Sequence, residues 1–207
     1  MKRTLALAAV AVSLLVAAPA RADIQTSGPE TYPGKFAVDA HLGFSAGVLG
    51  GTPGGFKFQG GFGYKLSDLL WIDAGVNFVF GGSGNVCFNH GGYYDCGLFG
   101  DGIAIEPYAG IKLKFKINQV PIVPYAKADA VFMGIVNRFC GDNGFGVGGR
   151  VAGGAHYFLT KNIGLGIEIS TLLGPAFYNG YGGCFAPGSH AEVYWSIDFG
   201  IVAEFAF

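Results

Sequence analysis

An alternation with a period of two constrains this chain more than any other feature. Phe36, Val38, Ala40, Leu42, Phe44 and Ala46 are all apolar, and the interleaved set is Ala37, Asp39, His41, Gly43 and Ser45. Successive side chains of a strand point to opposite faces, so this segment has one greasy face and one small or charged face. A half-buried strand of a soluble β-sandwich carries the same pattern, so a single strand decides nothing. Here, however, the pattern recurs over residues 36–46, 56–66, 70–80, 103–117, 126–133, 147–159, 163–170 and 191–207. Most of these segments run to about 9–15 residues, whereas soluble strands are typically about five or six.

No mature segment can cross a bilayer as a helix. The longest apolar runs, such as residues 130–136, fall far short of the roughly 20 residues required. Yet charged residues make up only 13% of the chain, with 37 Gly, 19 Phe and 10 Tyr. That charged share is about half the usual one. The one other backbone solution in lipid is a closed barrel in which every strand is paired. Eight strands fit the even count of bacterial barrels, and ten tilted residues suffice to cross. The fold predicted is therefore all-β, an eight-stranded antiparallel up-and-down transmembrane barrel.

The connections support this reading. Residues 67–68, 118–121 and 160–162 are tight turns, and residues 47–55, 81–102, 137–145 and 172–189 are longer. Counted from the N-terminus, the long loops fall on one end and the turns on the other, the arrangement of outer-membrane barrels. The first residues lie outside the fold. Lys2 and Arg3 precede an apolar run broken only by Ser13, and Ala20-Arg21-Ala22 follows. This is the layout of a secretory signal peptide cleaved after Ala22. The expected organisation is a signal peptide at 1–22, a polar periplasmic leader with Pro29 and Pro33 at 23–34, and the barrel at 35–207.

With these segments in view, the chain resembles the small eight-stranded outer-membrane barrels, the group that includes OmpA's membrane domain, OmpX and OmpW. The resemblance rests on the signal peptide, the eight segments, the tract from Gly153 to Gly166 and the aromatic end Phe205-Ala206-Phe207. It implies integral residence in the bacterial outer membrane with its lipids as partners. It also implies that Phe205 and Phe207 form the signal read by the barrel-assembly machinery. Likeness to OmpW-type barrels implies, as an alternative, a narrow channel for small or apolar solutes.

The charged positions all fall on the non-greasy face. They include Asp39, Lys57, Asp73, Glu106, Lys112, Lys127, Asp129, Arg150, Glu168, Glu192 and Asp198, with Lys114, Glu204, His41 and His156. Side chains nearly fill so narrow a barrel. Unpaired charges there cost several kcal/mol each, so these groups are expected to pair into a polar plug. Lys112, Lys114 and Lys116 sit together near the turn end and read as rim charges. Trp71, Tyr64, Tyr157, Trp195 and Phe207 read as an interfacial girdle.

No catalytic set emerges. His41 and Ser45 share a face four residues apart, and Ser189, His190 and Glu192 cluster without a triad spacing. A lipid A-modifying enzyme is thus the weakest reading. Gly144–Gly149 lacks the Lys-Ser/Thr of a phosphate loop. With a net charge of −1, no electrostatic feature points to nucleic acid. Cys87, Cys96, Cys140 and Cys184 all fall in the long loops, on the outer side. Export permits oxidation, and four cysteines allow three connectivities. Cys87 with Cys96 and Cys140 with Cys184 is the pairing that closes one loop and ties two neighbours. Cys87, His90, Asp95 and Cys96 match no standard zinc spacing, so neither metal nor cofactor is expected. The sequence reads as a non-enzymatic barrel with disulfide-stapled outer loops and a structural or surface-interaction role. It names no extracellular partner.

Overall fold

The computed structural model describes residues 34–48, 52–81, 87–90, 93–96, 102–117, 120–138, 142–180 and 188–207, with no side chains described for residues 87–96, 137, 138, 142, 180 and 188–190. Residues 1–33, which hold the expected signal peptide and most of the expected leader, lie outside the described residues. The strands are β1 (Phe36–Gly47), β2 (Gly55–Lys65), β3 (Leu70–Gly81), β4 (Cys87–His90) and β5 (Tyr93–Cys96). They continue with β6 (Ile103–Lys114), β7 (Ile122–Arg138), β8 (Asp142–Phe158), β9 (Ile163–Gly180) and β10 (Gly188–Ala206). Eight of them close an antiparallel barrel in the order β1-β2-β3-β6-β7-β8-β9-β10, with β10 pairing back to β1; β4 and β5 form a separate hairpin.

The register fixes the barrel's geometry. One row of directly opposed residues runs Ala37, Gly63, Asp73, Gly110, Asp129, Arg150, Leu172, Ser196 and returns to β1 at Gly47. The return from Ala37 to Gly47 is a shear of ten residues around eight strands. With about 3.3 Å per residue and about 4.8 Å between strands, that shear tilts the strands by about 41°, inside the usual barrel range. Each residue then climbs about 2.5 Å along the barrel axis, and each step to the next strand about 3 Å.

Alternation sorts the faces. β1 reads exposed-buried almost without interruption. Phe58, Ile111 and Phe199 are 40–58% exposed, while Lys57, Lys112 and Asp198 are at most 3% exposed. The apolar half therefore coats the outside and the charged half is enclosed.

The structure departs from the sequence reading in three places. First, β7–β10 are 17–19 residues long, so the stretches 137–145 and 172–189 are largely strand rather than loop. Only 139–141 joins β7 to β8, a connection as short as the turns. Gly144, Gly146, Gly174 and Pro175 resemble loop punctuation, but period two persists through them. Val147, Leu173 and Phe177 point outward, and Leu172, Ala176 and Tyr178 point inward. Pairing with neighbouring strands overrides the local signal. Second, β4 and β5 occupy the connection read as plain loop. Third, Trp71 is no girdle residue. It is 1% exposed at the barrel floor, because position 71 has the inward parity of Asp73.

Candidate functional site

The enclosed residues form three layers along the axis. The floor, at the turn end, is apolar: Ala37, Trp71, Val123, Phe158 and Ala206 pack together. The ceiling is formed by Met133, Ile135, Ala176 and Tyr178, and the same apolar cluster includes Val131, Leu172 and the rings of Tyr108 and Tyr194, which reach down to the level of the charges. Between them lies the charged layer.

At its lower level Lys112 reaches Asp39 at 3.3 Å, Asp73 at 3.5 Å and Glu204 at 3.8 Å. Lys127 reaches Asp73 at 2.8 Å and Glu168 at 3.8 Å. Lys114 donates to Glu204 while lying 4.0 Å from the centroid of the Trp71 ring. Lys112 and Lys114 therefore belong to the lumen rather than the rim, since both are at most 3% exposed. All three share the inward parity, but Lys116 lies beyond the end of β6 and stays outside, 3.5 Å from Asp68. His41 Nδ1 sits 3.6 Å from Glu168, and Tyr125 donates to the same carboxylate at 2.9 Å. His156 stacks on Tyr125 at 4.7 Å.

In the middle, Arg150 donates to Asp129 through Nε at 2.9 Å and Nη2 at 2.7 Å. Its guanidinium carbon lies 4.1 Å from the Tyr108 ring centroid. A cation over an aromatic face adds to the ion pair in a dry setting. Gln59 donates to the Tyr108 hydroxyl at 2.9 Å. Tyr108 fits because glycines face it: a Cβ on Gly75 would come within 2.7 Å of its hydroxyl, and one on Gly61 within 2.6 Å. At the upper level Lys57 donates to Asp198 at 2.8 Å, and Ser170 donates to the same oxygen at 3.0 Å. Glu106 accepts from Tyr194 at 2.8 Å and Asn77 at 3.1 Å.

Ten of the eleven lumen charges singled out from sequence are buried here; Glu192 is half-buried near the start of β10. Sequence reasoning missed the neutral members, namely Tyr108, Tyr125, Tyr194, Gln59, Asn77 and Ser170. Their parity was the available signal, since each shares the inward register of a neighbouring charge. Cys140 and Cys184 lie outside the described residues, as do the side chains of Cys87, Cys96, Ser189 and His190. Phe205 and Phe207 are outward-facing, about half exposed, and their rings lie 5.7 Å apart.

On the outside, aromatic rings gather at the turn end. Phe36 lies 5.4 Å from Tyr64 and 6.0 Å from Phe207, centroid to centroid. Near the other end Trp195 is half-buried, and its indole N–H donates to Thr171 at 3.1 Å. By the shear geometry the levels of Tyr64 and Trp195 are about 24 Å apart along the axis.

These features define an eight-stranded antiparallel barrel with an apolar exterior, two aromatic levels and a filled, ion-paired interior. The fold is that of the small eight-stranded outer-membrane barrels. The chain is similar to Neisserial surface protein A, with 17% identity, a TM-score of 0.55 and coverage of 84% of this chain and 97% of that one. It is also similar to the outer membrane protein OprG from Pseudomonas aeruginosa, with 11% identity, a TM-score of 0.57 and coverage of 85% and 98%. At such identities the likeness is one of fold. No protein-family model and no curated protein matches the sequence.

Proposed function

We propose that this protein is an integral outer-membrane barrel without enzymatic activity, closed to ions, that holds its outer loops at the cell surface. The observation that carries this reading is the three-layer interior. Charged groups 0–5% exposed are held mostly in ion pairs, with Glu106 bound by Tyr194 and Asn77, and an apolar cluster lies toward each end of the lumen. A conducting path would need that layer to be hydrated, at the expense of pairs such as Lys57–Asp198. The apolar exterior between aromatic levels about 24 Å apart suits the apolar band of roughly 25 Å typical of outer-membrane barrels.

The same reading places the start of the mature chain after Ala22 and gives Phe205 and Phe207 the role of assembly signal. The outer loops carry two disulfides. The register that sets Cys87 opposite Cys96 supports the first. Opposed residues of an antiparallel pair have Cα atoms about 4.5–5.5 Å apart, within disulfide reach. Cys140 and Cys184 form the second.

Recording from planar bilayers tests the reading. The expected result is silence from the native protein. Steady ion steps that shift when Arg150 or Glu106 is replaced would overturn it in favour of a narrow channel. Lipid A mass analysis with and without expression is expected to show no change; a modified lipid A would make the protein an enzyme.

A further inference from the structure

We infer that the turn end of the barrel is a docking rim for anionic glycerophospholipid, recognised by lysines beneath the aromatic level; this rests on the membrane reading above. Outside the enclosed network, the charged side chains at this end among the described residues are Lys35, Lys65, Lys116 and Lys161 against Asp68. Three of the lysines cluster. The backbone N–H of Lys65 donates to the carbonyl of Lys35 at 2.8 Å, which fixes these two side by side. Asp68, with its side chain 60% exposed, bridges Lys65 at 2.6 Å and Lys116 at 3.5 Å. One carboxylate shared by two ammonium groups leaves an excess of positive charge in water, where it attracts anions.

The second observation lies just above it. Phe36, Phe62, Tyr64 and Phe207 form a continuous ring contact with centroids 5.4–6.0 Å apart. Such rings seat at headgroup depth. A ligand that meets ammonium groups below and aromatic and apolar surface above is an amphiphile with an anionic headgroup and acyl chains. A free phosphate would use only the lower half.

The test uses the mature protein reconstituted into vesicles of equal phosphatidylglycerol and phosphatidylcholine, with retained lipids counted by native mass spectrometry. The expected result is an excess of phosphatidylglycerol. That preference falls about fivefold per lysine removed in Lys65→Gln/Lys116→Gln, from the roughly 1 kcal/mol each basic residue contributes near an anionic surface. In Asp68→Asn, which removes the carboxylate shared by Lys65 and Lys116, the preference rises. Excess glycerol phosphate leaves it unchanged. Insertion with equal retention of both lipids in native protein and variants would overturn this inference alone, as would displacement by glycerol phosphate. Failure to insert into any vesicle would sink the membrane reading and this inference with it.

Discussion

Replacing Asp129 by leucine should be among the most damaging single changes in the lumen. The structure shows why. Arg150 is 1% exposed and its guanidinium gives two hydrogen bonds to one Asp129 oxygen, with the Tyr108 ring on its face. Without Asp129 the guanidinium stays enclosed against the Tyr108 ring and loses both of these hydrogen bonds. Breaking a buried pair in this way costs about 3–5 kcal/mol, against about 0–1 for an exposed pair such as Lys65–Asp68. With a urea slope of about 2 kcal/mol per molar, the unfolding midpoint moves down by about 2 M. The double variant Asp129→Leu/Arg150→Met removes both charges and fills the space with apolar atoms. It should be neutral, or more stable than the native protein by about 1–4 kcal/mol. The assay is equilibrium unfolding from lipid vesicles followed by tryptophan fluorescence, as a double-mutant cycle. A cost below about 1 kcal/mol for Asp129→Leu alone, the range of exposed pairs, would mean that water reaches the guanidinium. The sealed lumen would then be wrong.

Two further outcomes follow from the same geometry. The native protein should present no reactive thiol, and mass mapping should link Cys87 to Cys96; four titratable thiols would refute the stapled loops. Asp68 lies outside the barrel wall, and the hydrogen bond from Lys65, followed by the charge of Lys116, holds its carboxyl below the ordinary value of 3.8. A depressed carboxyl stabilises the folded form above its unfolded pKa and loses that contribution as pH falls through the folded one. An NMR titration should therefore place Asp68 below 3.8 and move it back up in Lys65→Gln; a midpoint at or above 3.8 would contradict the bridge.

Much of the wall was legible because a barrel imposes one rule on every strand. Parity alone assigns Phe58 and Lys57 to opposite faces, and no tertiary information is needed. Strand ends were less legible. Gly144, Gly146 and Pro175 look like loop residues when read locally, and only pairing, as in Gly146 with Ala176, makes them strand. Trp71 was misplaced for a related reason. It was assigned by residue type and nearness to the membrane edge, whereas its inward parity puts the indole against the Lys114 ammonium. Ion-pair partners were not legible at all. Lys57 and Asp198 are 141 residues apart and meet only because the shear brings β2 and β10 to the same height. That offset is a property of the closed sheet and has no signature in any single segment.

The chain has two tryptophans, one on each side of the wall. Single-tryptophan variants in vesicles whose acyl chains carry bromine measure directly which side meets lipid. In Trp71→Phe the remaining Trp195 should be strongly quenched, and in Trp195→Phe the remaining Trp71 should keep its full emission. Equal quenching of both, or quenching of Trp71 alone, would mean that the enclosed face is not enclosed.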